Sequence, residues 1–241
     1  MIRPKLEFLS RETVQRVIDE AYELLWDPGV RVHYDEALQL LAGAGATVDM
    51  TTRVAKIPRS LAEKAVDTAP SSFYLYNLDG QPAVHYGGDD IHYDPGSAAI
   101  EIADYEAKQS RTPVTADCEN FVRLAEMLPQ IDALATSIVC GDVPQSMADW
   151  YRLYLLLLYG RKPIVTGTFA IESFPIMHEL LVASVGSAAA LAAKPRAVFD
   201  VCPSPPLLWS DITCANLIDA ARAGVPAELV SMPLTGATGP A

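Results

Sequence analysis

KPIVTGTFAIESFPIMHELLVASVGSAAALAAKPRAVFDVCPS, residues 162–204, decides the fold. Its two ends, KPIVTGT (162–168) and RAVFDVCPS (196–204), are short, almost wholly apolar runs. Between them, ESFPIMHELLVASVGSAAALAA has the length and composition of helix. A strand that is apolar at nearly every position, with no polar alternation, belongs in a parallel sheet covered on both faces by other elements. The same texture continues outward. DALATSIVC (132–140) precedes a helix through MADWYRLYLLLLY, WSDITCANLIDAARAG is the next helix, and PAELVSMPL (226–234) is the last strand. TADCENFVRLAEML (115–128) places one more helix ahead of the first strand. The result is an α/β run of four to five βα units.

The opening part has a different grain. Ser10 can cap a helix in which Val14, Val17, Ile18, Ala21, Leu24 and Leu25 recur at helical spacing, and Asp27-Pro28-Gly29 ends it. A second helix, Tyr34 to Ala42, stops at GAGA (43–46). That glycine pair follows a helix rather than a strand, so it reads as a helix C-cap and not as a phosphate loop. TVDMTTRVAKIP reads as a hairpin and Ser60 to Thr68 as a short helix. Short aromatic strands then break at Asp79-Gly80 and Gly87-Gly88. The expected division is a mixed helical and hairpin region over 1–92 and a partial β/α barrel over 93–241. A complete eightfold barrel needs about 250 residues, so at about 30 residues per unit 93–241 could hold only the front portion of one. An open doubly wound sheet fits the same pattern, and the pattern does not choose.

Composition narrows the function classes. Of the 241 residues, 50% are hydrophobic and 20% charged, as in an ordinary soluble protein. No apolar run reaches the roughly 18 residues of a membrane span. The densest run, LYLLLLYG from Leu153, is flanked by Arg152 and Arg161, and the N-terminus has no signal-peptide core, so a cytoplasmic location is expected. The net charge of −12 argues against nucleic acid and leans toward a cationic ligand. Cys118, Cys140, Cys202 and Cys214 show no CxxC spacing, so reduced cysteines and no zinc are expected. HYGGDDIHYD groups His85, Asp89, Asp90, His92 and Asp94, but its Gly-Gly-Asp-Asp core is turn chemistry, and it reads as a solvated hairpin rather than a metal site. No Ser-His-Asp set, G-x-S-x-G elbow or paired-carboxylate motif emerges.

Taken in order, GVRVHYDEALQLLAGAGATVD, IPRSLAEKAVDTAP, RTPVTADCENFVRLAEMLPQIDAL, GDVP, KPIVTGTF and ARAGVPAELVSMPLTGATGPA resemble the trimethylamine methyltransferase family along the whole chain. The resemblance implies a TIM barrel and a corrinoid-dependent reaction. A tertiary or quaternary amine, such as trimethylamine or a betaine, would give a methyl group to the Co(I) of a corrinoid carried by a separate protein. It also implies that the barrel continues past this stretch, that the catalytic group lies beyond Ala241, and that the pyrrolysine position of some relatives lies there too. A homo-oligomer is expected. The alternative is a non-catalytic half-barrel that associates with itself or with a separate C-terminal chain. A complete five-stranded enzyme of unrelated chemistry ranks last, because no phosphate-binding loop supports it.

In β/α barrels function gathers at the C-terminal ends of the strands. Asp142, after the strand ending at Cys140, matches an acidic family position and can attract a substituted ammonium; it can equally cap the helix starting near Gln145. Thr166 and Thr168 can line a pocket to which Phe169 offers an aromatic face, or form a tight turn. Ser204 and Trp209 lie on the loop CPSPPLLW, where Trp209 can meet a cation or pack in the core. Met232 with the following LTGATG continues the rim, and Tyr93 in YDPGS can edge the pocket.

Overall fold

Ser10 opens the first helix with its side chain: its hydroxyl accepts from Thr13 N at 3.1 Å, and α1 runs Arg11–Trp26. The structure, a computed structural model, describes residues 6–236 and residue 239. Contacts divide the chain into two units, Met1–Ala69 with Ser204–Ser210 and Pro233–Ala241, and Pro70–Pro203 with Asp211–Met232.

In the first unit α1 is followed by β1 (Val30–Val32), α2 (Asp35–Ala44), β2 (Thr47–Asp49), β3 (Val54–Lys56) and α3 (Arg59–Thr68). β2 and β3 form the expected hairpin, with Thr47 opposite Lys56, and β1 pairs antiparallel on the other side of β3. Buried Val30, Val32, Leu38 and Ala55 make a small core. Gly29 is required here. Its φ is +86°, and a Cβ would stand 2.7 Å from Ala55 O, so any side chain meets both strain and backbone. The sheet gains a strand that local pattern did not announce: Leu208–Trp209 returns to pair parallel with β1, Arg31 opposite Leu208.

The second unit begins with a hairpin of β4 (Ser72–Tyr76) and β5 (Pro82–Gly87), then a small one of β6 (Ile102–Asp104) and β7 (Gln109–Arg111). The βα run follows as α4 (Thr115–Met127), β8 (Leu134–Ala135), α5 (Ala148–Tyr159), β9 (Ile164–Thr166), α6 (Ser173–Val185), α7 (Ala188–Ala193) and β10 (Ala197–Val201). After β11, the Leu208–Trp209 strand of the first unit, come α8 (Asp211–Ala223) and β12 (Ala227–Leu229). The four strands β8, β9, β10 and β12 are parallel neighbours in that order, so the βα run is an α/β sheet as its apolar strands required. Beside β8, residue Ala99 bridges Ile138 in parallel. The long helix between β9 and β10 is two helices. Gly186 turns left-handed at φ +92°, and the Ser187 hydroxyl restarts the chain by accepting from Ala190 N.

Alternation gives this sheet two different faces. Leu134, Ile164 and Phe199 pack against Leu153, Leu156, Phe174, Met177 and Leu181 of the helices. Ala135, Val165 and Val198 face the other way and pack against Leu75 and Val84 of the β4–β5 hairpin. Among the described residues no helix is long and apolar enough to cross a membrane.

Candidate functional site

The residues singled out from the sequence do not fall together. Ser204 and Trp209 belong to the first unit. There Ser204 N donates to Leu208 O at 2.8 Å, and Trp209 O accepts from His33 N at 2.9 Å, so this loop is a strand addition with its backbone committed to pairing. Tyr93, Asp142, Thr166, Thr168, Phe169 and Met232 belong to the second unit. Exposed Met232 follows β12, while Ala237 and Thr238 of the adjoining LTGATG lie outside the described residues.

Asp142 is a cap, though not for the helix after it. Its carboxylate accepts from Thr115 N at 2.9 Å and from the Thr115 hydroxyl at 3.1 Å, covering the start of α4. α4 needs this, because its N-cap position is Val114, which has no acceptor side chain. Asp117 completes the terminus by accepting from Val114 N at 2.9 Å, and the Arg111 guanidinium, then that amide, hold its carboxyl at about 2.

Thr166 is fully buried on the helix-covered face, its hydroxyl 3.2 Å from that of Thr136. Thr168 is also buried and accepts from Asn216 Nδ2 at 2.5 Å. Phe169 alone of this group reaches the surface, at 62% exposed. Behind it is a pair that no linear motif marks. Asp149 and Arg152, in the first turns of α5, form a buried ion pair at 3.0 Å. The other Asp149 oxygen accepts from Phe169 N at 2.7 Å and Ala170 N at 3.2 Å. Arg152 donates to Thr136 O at 2.8 Å and Ala148 O at 3.1 Å, and its guanidinium carbon lies 4.9 Å from the centre of the Phe169 ring. Every polar arm of this pair is engaged, and one face of Phe169 already carries a cation. Phe169 is therefore a weaker receptor for a second cation than its exposure implies.

The hairpin-covered face is chemically different. Asp200 on β10 stands in register with Glu228 on β12, and both point toward Tyr86 of β5. Burial, then the neighbouring Glu228 carboxyl, push Asp200 up to about 8, so it holds a proton at neutral pH. Asp200 Oδ1 is buried without a hydrogen-bond partner among the described residues. Burial and the Glu228 charge also push the Tyr86 phenol above its ordinary value. This carboxylate pair, which no linear motif marks, is thus assembled by strand register. Its only sequence signal is one acidic residue inside each apolar run, RAVFDV and PAELV.

A cavity of about 210 Å³ opens on this face, lined by Tyr86, Tyr93 and Asp94 with Ala133 and Val165 at its floor. Its outer wall is the HYGGDDIHYD segment, which is not the hairpin expected from its turn chemistry. After Gly88 the chain folds back on itself: His85 Nδ1 lies 2.7 Å from Asp90 Oδ2, and His92 Nε2 accepts from His85 N at 3.2 Å. The reason is competition from β8. Tyr93 N donates to Asp132 Oδ2 at 2.9 Å and Tyr93 O accepts from Asp132 N at 2.8 Å, tying the segment to the strand start. Aromatic rings beside several carboxyl groups make an environment for a cation with an apolar surface.

The family model for trimethylamine methyltransferase (MTTB) matches residues 2–241. The chain is 27% identical to the trimethylamine methyltransferase MttB of Desulfitobacterium hafniense over 229 residues, covering 95% of this chain and 46% of that protein. With the Methanosarcina thermophila MttB it shares 26% over 242 residues, 98% of this chain and 50% of the relative. A glycine betaine methyltransferase of Desulfitobacterium hafniense is 24% identical over 239 residues, 99% of this chain and 49% of the relative. The chain thus spans about half the length of the curated relatives it matches. It belongs to the trimethylamine methyltransferase family.

Proposed function

We propose that this chain is the substrate-holding portion of an amine methyltransferase built on a β/α barrel, and that the hairpin-covered sheet face binds the methylated ammonium group. The observation that carries this reading is the cavity walled by Tyr86 and Tyr93 beside Asp94, with the Asp200–Glu228 pair on the same face. A tertiary or quaternary ammonium carries its charge on a shell of methyl groups, so aromatic faces and carboxylates recognise it better than hydrogen-bond donors do. Each cation–π contact contributes about 0.5–2 kcal/mol, depending on desolvation. Binding would draw the proton from Asp200, since a nearby cation favours the ionised carboxyl.

The co-substrate is the Co(I) of a corrinoid carried by a separate protein, which supplies the electron pair for the new carbon bond. The methyl group leaves nitrogen without the N–C electron pair, which stays on the departing amine. The residues of this chain orient the ammonium and exclude water, so that one N–CH3 bond is presented to the acceptor. The test combines the full-length protein, a corrinoid protein reduced to Co(I) and a panel of tertiary and quaternary amines. Methylation of the corrinoid, followed by its absorbance, is expected with at least one amine; none across the panel refutes the reading.

A second reading, an association piece completed by another chain, draws on one observation. Among the described strands β12 has a neighbour on one side only, and its Leu229 is exposed. Light scattering decides it: a well-behaved monomer that unfolds cooperatively excludes that role.

A further inference from the structure

Gly167 runs so close to β10 that a Cβ there would lie 3.2 Å from Asp200 O and 3.6 Å from Asp200 Cβ. The loop after β9 therefore borders Asp200, which lies on the sheet face proposed to hold the ligand. Two residues on, the backbone is held by Asp149 through Phe169 N and Ala170 N, and not by its own helix. Arg152 ties the same ion pair to Thr136 O at the end of β8. A buried ion pair is weak evidence for stability, because apolar side chains of similar volume often serve as well. Here, however, the pair performs tasks that apolar side chains cannot. It accepts two loop amides, joins two neighbouring strand ends and occupies one face of an exposed ring.

We infer that Asp149 and Arg152 are positioning residues, a clasp that sets the Gly167–Ala170 loop beside Asp200 and holds Phe169 with only its outer face open to a ligand. This rests on the reading that the ammonium binds next to Asp200, but the clasp itself is testable without any turnover. The decisive variant is the double replacement Asp149→Leu with Arg152→Met, which removes both buried charges and fills their place with apolar side chains. Its unfolding midpoint is expected near that of the parent. Hydrogen exchange at the Phe169 and Ala170 amides is expected to quicken at least tenfold, with the helix amides of α5 unchanged. Parental exchange at both loop amides would overturn the clasp, because the pair would then be structural filler. Should the double variant not fold, Asp149→Asn decides the same point: at least threefold faster loop exchange supports the clasp, and unchanged exchange overturns it. In the full-length enzyme the double variant should raise KM at least fivefold with kcat within twofold. Absence of all methyl transfer would defeat the functional reading while the exchange result still decided the clasp.

Discussion

Two groups of buried polar side chains, one on each face of the parallel sheet, stand in different conditions. On the helix-covered face Asp149, Arg152, Thr136 and Thr166 are all paired, and the pairing joins elements together. On the hairpin-covered face Asp200 is crowded by Glu228, carries a raised pKa and keeps one buried oxygen without a partner among the described residues. A folded chain tolerates both, but for different reasons. Satisfied polar groups specify geometry, while a crowded carboxyl pair with one partnerless buried oxygen costs stability, a condition that recurs at functional sites. Under the proposed function, the contrast gives one group an architectural task and the other a task in recognition.

The largest effects should come from breaking the satisfied face. Asp149→Ala leaves the Arg152 charge buried and alone, and is expected to cost about 3–5 kcal/mol by denaturant unfolding. A loss below about 1 kcal/mol would mean that water reaches Arg152 and that the face is less dry than its burial indicates. Leu156→Ala, at a fully buried position of α5, should cost about 2–5 kcal/mol by the same measurement.

On the other face the sign reverses. Asp200 binds a proton more tightly folded than unfolded, with its value pushed from 3.8 to about 8. Between those values the folded state holds the extra proton, so stability must fall as pH rises from about 4 to about 8. Asp200→Asn should flatten that slope and, at pH 8, raise the unfolding midpoint. A variant less stable than the parent at pH 8 would show that Asp200 is a structural partner. The smallest effect concerns neither face. Gly186→Ala meets no neighbouring atoms but must adopt φ +92°, and should cost about 1 kcal/mol in a thermal melt.

Much of the fold could be read along the chain because its signals are local. Ser10 caps α1, Gly45 ends α2 in a left-handed turn, and the apolar runs around Ile164 and Val198 became parallel strands. Trp209 was harder to place because a two-residue strand has no period; only pairing with Arg31 and Val32 creates it. Asp142 shows the same limit. Its position offers a cap to the helix near Gln145, but the residue it caps is Thr115, 27 residues upstream, a partner that follows from tertiary packing. Asp200 and Glu228 left a faint trace as acidic residues in apolar strands, and register alone made them a pair. Side chains that act through neighbours distant in sequence were the ones missed, and both the clasp and the carboxyl pair are of that kind.

The most direct measurement is calorimetric titration of the protein with tetramethylammonium at pH 6 and pH 9, in parent and Asp200→Asn. If the hairpin-covered face is the recognition face, the parent binds at least tenfold more tightly at pH 9, because the cation no longer competes with the Asp200 proton. The variant should then bind weakly, with most of that pH dependence lost. Binding by the parent that ignores pH, or binding that survives the substitution undiminished, would contradict the assignment of that face to the ligand.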